Sequence, residues 1–203
     1  ITSRLLDESS GRERLSASLG QIRYFDPQRV QLPGRVVTDA AGSALVGDLE
    51  LTLSDRWRVG ISQQWDPEDE LSDLSAMRAQ YRWGGAGVFN FAYRFRRAGS
   101  GGNPNRVSLE QVDVSLLAPL SESWRLLARW NYSLLDESTL EALAGIEWEN
   151  CCVATRILGR HYVRNREGEK NNGIYIEVEF KGLATLGRKS GELLERAILG
   201  YSR

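Results

Sequence analysis

Trp148-Glu149-Asn150-Cys151-Cys152-Val153-Ala154-Thr155-Arg156 carries the only two cysteines of the chain, side by side. Upstream, Leu140, Ala142, Ala144, Ile146 and Trp148 are apolar and alternate with Glu141, Leu143, Gly145, Glu147 and Glu149. Downstream, Val153, Thr155 and Ile157 share one side, and Ala154, Arg156 and Arg160 the other. A period of two on both flanks predicts two strands joined by a tight turn at the cysteines. Adjacent cysteines are poor partners for each other, because neighbouring Cα atoms lie about 3.8 Å apart and a disulfide prefers roughly 5.5–6 Å. If oxidised, each fits better with a cysteine outside this sequence. The plainer alternative is two small residues at a turn.

The same alternation runs outward in both directions. Leu45 to Leu53, Trp57 to Trp65, Met77 to Trp83, Phe89 to Phe95, Trp124 to Tyr132 and Ile174 to Phe180 each place apolar residues at every second position. Val107 to Ala118 alternates less cleanly. Ile1 to Leu6 reads as a strand stub, and Leu15 to Leu19 as a strand whose phase slips near Gly20, as a bulge there would cause. About ten strands plus the stub follow from this pattern. After Gly182 it stops, and Gly191 to Leu199 suits one short helix with an apolar stripe. The expected division is a strand region over 1–182 and a tail over 183–203.

Two regularities go beyond an all-β reading. Connections expected to be long (26–42, 66–73, 98–105, 164–172) alternate with short ones (54–55, 84–87, 119–122, 150–151); only 134–138 breaks the trend. Trp57, Trp83, Trp124 and Trp148 all stand at strand ends beside short turns, on the apolar side. Outer-membrane barrels have short periplasmic turns, long outer loops and an aromatic girdle at the interface. The opposite face carries Arg78, Arg94, Arg129, Glu147, Arg156 and Glu177 among other charges, which suits a wide, watery lumen better than a small barrel filled by side chains. The predicted fold is therefore an antiparallel up-and-down meander, an open part of a large transmembrane outer-membrane β-barrel, with a short helical C-terminal tail. Such a sheet should not close on itself. The strand at Ile174–Phe180 should not pair with the one at Leu15–Phe25 or with the stub before it.

Several chemistries find no support. A formal net charge of −1 offers no phosphate-binding surface for nucleic acid. No apolar run approaches the roughly 20 residues of a spanning helix, although barrel strands would escape such a scan. His161 is the sole histidine and has no triad pattern around it. No Cys/His spacing suggests a metal, and Gly99 to Gly102 lacks the lysine of a phosphate loop. No catalytic residue, metal ligand or cofactor is expected. Each inward arginine is simplest as the partner of an inward glutamate; collectively they could also meet phosphates through bidentate forks.

Particular motifs add a resemblance. Trp130-Asn131-Tyr132-Ser133, Leu143-Ala144-Gly145-Ile146-Glu147-Trp148-Glu149 and the Cys151-Cys152 pair resemble the C-terminal barrel region of the LptD family. Asn172-Gly173-Ile174 and Glu179-Phe180-Lys181-Gly182-Leu183 resemble its last strand. Ser3-Arg4-Leu5-Leu6-Asp7 and Ser18-Leu19-Gly20-Gln21 match further upstream. The resemblance implies a non-enzymatic outer-membrane translocon of Gram-negative bacteria that assembles lipopolysaccharide into the outer leaflet. It also implies a plug lipoprotein, LptE, and a periplasmic lipopolysaccharide bridge reached through an N-terminal domain. Cys151 and Cys152 would form disulfides with cysteines of that N-terminal region, and the short turns and C-terminus would be periplasmic. A porin-like channel for small solutes shares the architecture but gives no reason for paired cysteines. A barrel-embedded hydrolase and a soluble β-sandwich fit the residues less well.

Overall fold

A computed structural model describes residues 1–26, 41–84, 86–100, 103–164, 168–188 and 190–202. The strands are β1 (Thr2–Leu6), β2 (Glu13–Gly20), β3 (Leu45–Thr52), β4 (Trp57–Asp66), β5 (Leu71–Trp83) and β6 (Gly87–Arg96), followed by β7 (Leu109–Pro119), β8 (Trp124–Ser133), β9 (Ser138–Glu149), β10 (Val153–Val163), β11 (Lys170–Phe180) and β12 (Ala184–Gly187). One helix, α1 (Ser190–Ala197), ends the order. The strands form a twelve-stranded sheet whose spatial order is the chain order, a meander with β1 and β12 as end strands. The sheet is open, as expected, and β11 has β10 and β12 for neighbours rather than β1 or β2.

Three expectations need correction. The pattern does not stop at Gly182: Gly182 adopts φ +79°, a turn follows, and β12 returns along β11. Gly20 is not a bulge but the end of β2; the register shifts fall at Leu5/Leu6 and Asn131/Tyr132 instead. The loop at 66–73 shrinks to 67–70, because β4 continues through Asp66 and β5 starts at Leu71. Glu70, at φ +54°, makes that tight reversal. Strand β11 likewise begins at Lys170, inside the stretch expected to be loop. Residues 27–40 of the expected loop at 26–42, and 101–102 and 165–167 of two others, lie outside the described residues.

The chain divides into two compact units, Ile1–Ala79 with Ala92–Gln111, and Gln80–Phe91 with Val112–Arg203. In the first, register puts like beside like. Ala17 faces Leu49 and Leu49 faces Ile61, while on the other face Ser18 meets Asp48 and Asp48 meets Ser62. Such cross-strand pairs are the unit of sheet stabilisation. Asp48 accepts a bond from the Ser62 hydroxyl at 2.7 Å.

In the second unit, two neighbouring rows across β8 to β11 show what alternation produces. Leu126, Ile146, Ile157 and Ile176 stand in register on one face. One residue away in every strand, Arg125, Glu147, Arg156 and Glu177 stand in register on the other. The first row stays open to the surroundings, with Ile146, Ile157 and Ile176 exposed. The second face, called inner below, carries α1. Val88, Leu117, Leu127, Leu143 and Leu158 form an apolar strip there, packed under Leu194, Ala197, Ile198 and Tyr201. Gly145 makes room: a Cβ at that position would collide with the Leu158 side chain.

Candidate functional site

The charged row is the best-built polar site among the described residues. Antiparallel register sets +, −, +, − side chains on neighbouring strands, so Glu147 lies between two guanidinium groups and Arg156 between two carboxylates. Arg156 donates through Nε to Glu147 Oε2 at 2.6 Å, and through Nη1 to Glu177 Oε1 at 2.8 Å and Glu179 Oε2 at 2.7 Å. Arg125 bridges Glu147 and Glu149, and Lys181 also reaches Glu149. Glu147, Arg156 and Glu177 are 0–1% exposed. A charge so deeply buried is tolerable only when paired and hydrogen-bonded throughout.

The cover comes from the tail. Glu177 accepts bonds from the Ser190 backbone N–H, from the Ser190 hydroxyl at 2.6 Å and from the Gly191 N–H at 3.0 Å. A carboxylate thus satisfies the open N–H groups at the start of α1 and faces the positive end of its dipole. At the other end, the Tyr201 hydroxyl donates to Glu147 at 2.5 Å and accepts from Arg156 at 2.9 Å. Burial, then the bond to Glu147, pushes that phenol above its ordinary range and keeps it a donor. Gln80 and Asn90 donate to the Leu199 carbonyl at 3.4 and 2.9 Å. Sequence reasoning anticipated the helix but neither its seat nor the parts played by Tyr201 and Ser190. The available signal was the inner face itself: Leu127, Leu143 and Leu158 interrupt a polar row, and an apolar strip on a charged face calls for a cover.

A second polar group lies farther along β8 to β10. Arg129 holds Asp113 at 2.6 Å and Glu141 at 2.8 Å, and Arg160 holds Glu141 at 2.6 Å. In the first unit, Arg78 pairs with Glu50 above Gly60, in the open; a Cβ at Gly60 would come within 2.8 Å of Glu50 Oε1. Arg94 is exposed and takes part in no ion pair among the described residues. The structure therefore brings Glu147, Arg156 and Glu177 together in one cluster, places Arg129 in another, and leaves Arg78 and Arg94 apart from both.

Cys151 and Cys152 form the turn between β9 and β10, exposed and free, with their sulfurs 2.6 Å apart. Asn150 holds the turn: its side-chain oxygen accepts the N–H groups of Cys152 at 2.9 Å and Val153 at 2.7 Å. The bond and charge of Cys151 push the Cys152 thiol up. Of the four tryptophans, Trp124 and Trp148 are register partners beside this turn. Trp83 lies over Gly87, where a Cβ would meet its ring. Trp57 opens β4 beside a short connection and is exposed.

His161 bonds only Asn172 among the described residues, at 2.6 Å. No group of His, Cys, Asp and Glu there could hold a metal ion. Among the described residues no helix is long and apolar enough to cross a membrane, which says nothing about strands.

Comparison with known proteins bears directly on this sheet. The family model described as "LptD: LPS transport system D" matches residues 1–124. The LPS-assembly protein LptD of Xanthomonas euvesicatoria pv. vesicatoria is 42% identical over 212 residues, covering 100% of this chain and 26% of that protein. The LptD of Xylella fastidiosa strain 9a5c is 40% identical over 204 residues, again covering 100% of this chain and 25% of the relative. The chain thus spans about a quarter of the length of the curated relatives it matches. With that identity across its full length, on an open antiparallel sheet, the chain belongs to the LptD family.

Proposed function

We propose that this chain is the C-terminal wall of an outer-membrane β-barrel that assembles lipopolysaccharide into the outer leaflet, without catalysis. The observation that carries the reading is the identity to LPS-assembly proteins over the whole chain. The fold supports it. From β2 to β4 and from β8 to β11 one face carries apolar rows such as Leu49 with Ile61 and Ile146 with Ile157, as a lipid-facing surface must, and the other carries polar and charged rows. In this reading Arg78, Arg94, Arg129, Glu147, Arg156 and Glu177 face the lumen. Trp57, Trp83, Trp124 and Trp148 form the girdle at the periplasmic interface. Residues 1–182 make the wall, which β12 extends by one short strand, and the rest of 183–203 is a tail at its periplasmic end.

The same reading assigns partners: lipopolysaccharide as cargo, a plug lipoprotein of the LptE kind, and a periplasmic bridge that meets the remainder of the protein. It places Cys151 and Cys152 on a periplasmic turn, in an oxidising compartment, each bonded to a cysteine of the N-terminal region. A small-solute channel would share the wall but leave the cysteine pair without a task.

The test is complementation in Gram-negative cells depleted of their own copy. Full-length protein should restore surface lipopolysaccharide and run as a long-range disulfide species on non-reducing gels. The Cys151→Ser, Cys152→Ser double variant should lose both, and either single variant should keep both. Restoration by the double variant, or a Cys151–Cys152 bond on peptide mapping, would contradict the cysteine assignment. Failure of the full-length protein to restore surface lipopolysaccharide would contradict the function.

A further inference from the structure

The far edge of β11 is covered over only part of its length. β12 pairs Ala184 with Phe180, Thr185 with Glu179, Leu186 with Val178 and Gly187 with Glu177. It is four residues long against eleven for β11. Gly187 ends it at φ +101°, where a Cβ would collide with the Ile176 carbonyl, so a residue with a side chain could not make the departure. From Lys170 to Tyr175 that edge carries no strand among the described residues, and Ile174 is 74% exposed.

β12 is not a loose end. At its start, Leu183 donates to the Phe180 carbonyl at 2.9 Å. Past its end, Arg188 donates to the Ile176 carbonyl at 3.2 Å and lies over the Tyr175 ring at 5.4 Å. Two residues on, Ser190 and Gly191 are fixed to Glu177, and α1 is sunk into the inner face through Leu194 and Ile198. Removing β12 from β11 would strain every one of these attachments. A strand arriving from elsewhere would have to accommodate it.

We propose that in the full-length protein β12 is a wedge in the closing seam. The occupant of the open edge is a β-strand from the part of the longer protein outside this chain. It pairs directly with β11 over Lys170–Tyr175 only. Over Glu177–Phe180 it must run outside β12, displaced by one strand spacing, about 4.8 Å. A bare edge in hydrocarbon leaves backbone N–H and C=O groups unsatisfied, which requires the part from Lys170 to Tyr175 to be paired. The displaced part lies at the cysteine end, since Lys181 donates to the Cys152 carbonyl at 2.9 Å. The proposal rests on the barrel reading above, because it assumes a wall that closes.

The experiment is site-specific photo-crosslinking in full-length protein in outer membranes. p-Benzoylphenylalanine replaces Ile174 in one variant and Val178 in a second. Phe180 serves as a third position, where the change is conservative and folding is least disturbed. Position 174 should capture a distant strand, from the part of the same full-length polypeptide that lies outside residues 1–203. Positions 178 and 180 should capture residues 184–187 and lose the distant-strand product. Capture of that same distant strand from 178 or 180 would overturn the wedge and leave the barrel standing. Capture from 174 of a second copy, or of no protein segment, would overturn the barrel closure and the wedge together.

Discussion

Arg78 and Arg156 each stand on the charged face of a strand, one in each unit, and each pairs with a glutamate: Arg156 with Glu147 directly across on the neighbouring strand, Arg78 with Glu50 two strands away over Gly60. Their surroundings differ. The side chains of Arg78 and Glu50 are 61% and 44% exposed, whereas those of Arg156 and Glu147 are 2% and 0% exposed. α1 makes the difference in the second unit, by covering the charged row and the apolar strip beside it. The same residue chemistry is thus a solvated surface pair in one unit and a sealed network in the other. Surface pairs contribute about 0–1 kcal/mol, while breaking a sealed one leaves an uncompensated charge and costs about 3–5 kcal/mol. Exposure, more than residue type, decides what each arginine is for.

The largest effect should therefore come from Arg156→Ala. It strands Glu147 and Glu177 in a buried site and should destabilise the second unit by about 3–5 kcal/mol. Denaturant unfolding of the full-length protein in detergent would measure it. Arg156→Met combined with Glu147→Leu should recover part of the loss, because it removes one of the two stranded carboxylates and leaves Glu177 with its bonds to Ser190 and Gly191. If Arg156→Ala behaves like Arg78→Ala, the comparison between the units breaks.

Ile198→Ala should come next. Ile198 is buried against the apolar strip, and truncation in such a site costs about 2–5 kcal/mol. The loss should show as faster hydrogen exchange at the amides of α1, with the exchange of β8 to β10 little changed. Faster exchange throughout the unit would mean that the helix is part of the fold rather than a cover on it.

The charged row was legible in the sequence, because alternation and register follow from spacing alone. Once Cys151 and Cys152 are set at a turn, Glu147 must face Arg156, and Ile146 must face Ile157. Which charges end up sealed was not legible, since that depends on where the tail goes after Gly182. Little local predicts β12: Ala184 to Gly187 is only four residues long, too short for its alternation to stand out, and its pairing depends on the glycines at 182 and 187 adopting positive φ. The short hairpin at 67–70 was hidden for a related reason. Asp66 to Asp73 reads as polar loop, yet Asp73 is buried and held by Arg97 at 2.7 Å, a contact formed only by the fold.

Smaller effects refine the contrast. Ser190→Ala removes one of the bonds to Glu177 and should weaken α1 docking by about 1 kcal/mol, read from the same exchange experiment. Tyr201 gives the pH dependence. Its phenol is raised in the folded protein, so its contribution is fully present below the ordinary value of about 10 and is lost only as pH climbs above it. Tail exchange, corrected for the intrinsic rate, should be flat from neutral pH to about 10, and release nearer neutrality would contradict this assignment. Arg78→Ala should change stability least, by about 0–1 kcal/mol.

The central claim is that alternation divides this wall into a lipid face and a lumen face. Single cysteines at Ile61, Ile157, Arg78 and Arg94, in membrane-embedded full-length protein with Cys151 and Cys152 blocked, test it most directly. A water-soluble maleimide should label positions 78 and 94 readily and should reach 61 and 157 only after detergent or denaturant is added. Equal labelling of all four in the intact membrane would contradict the account.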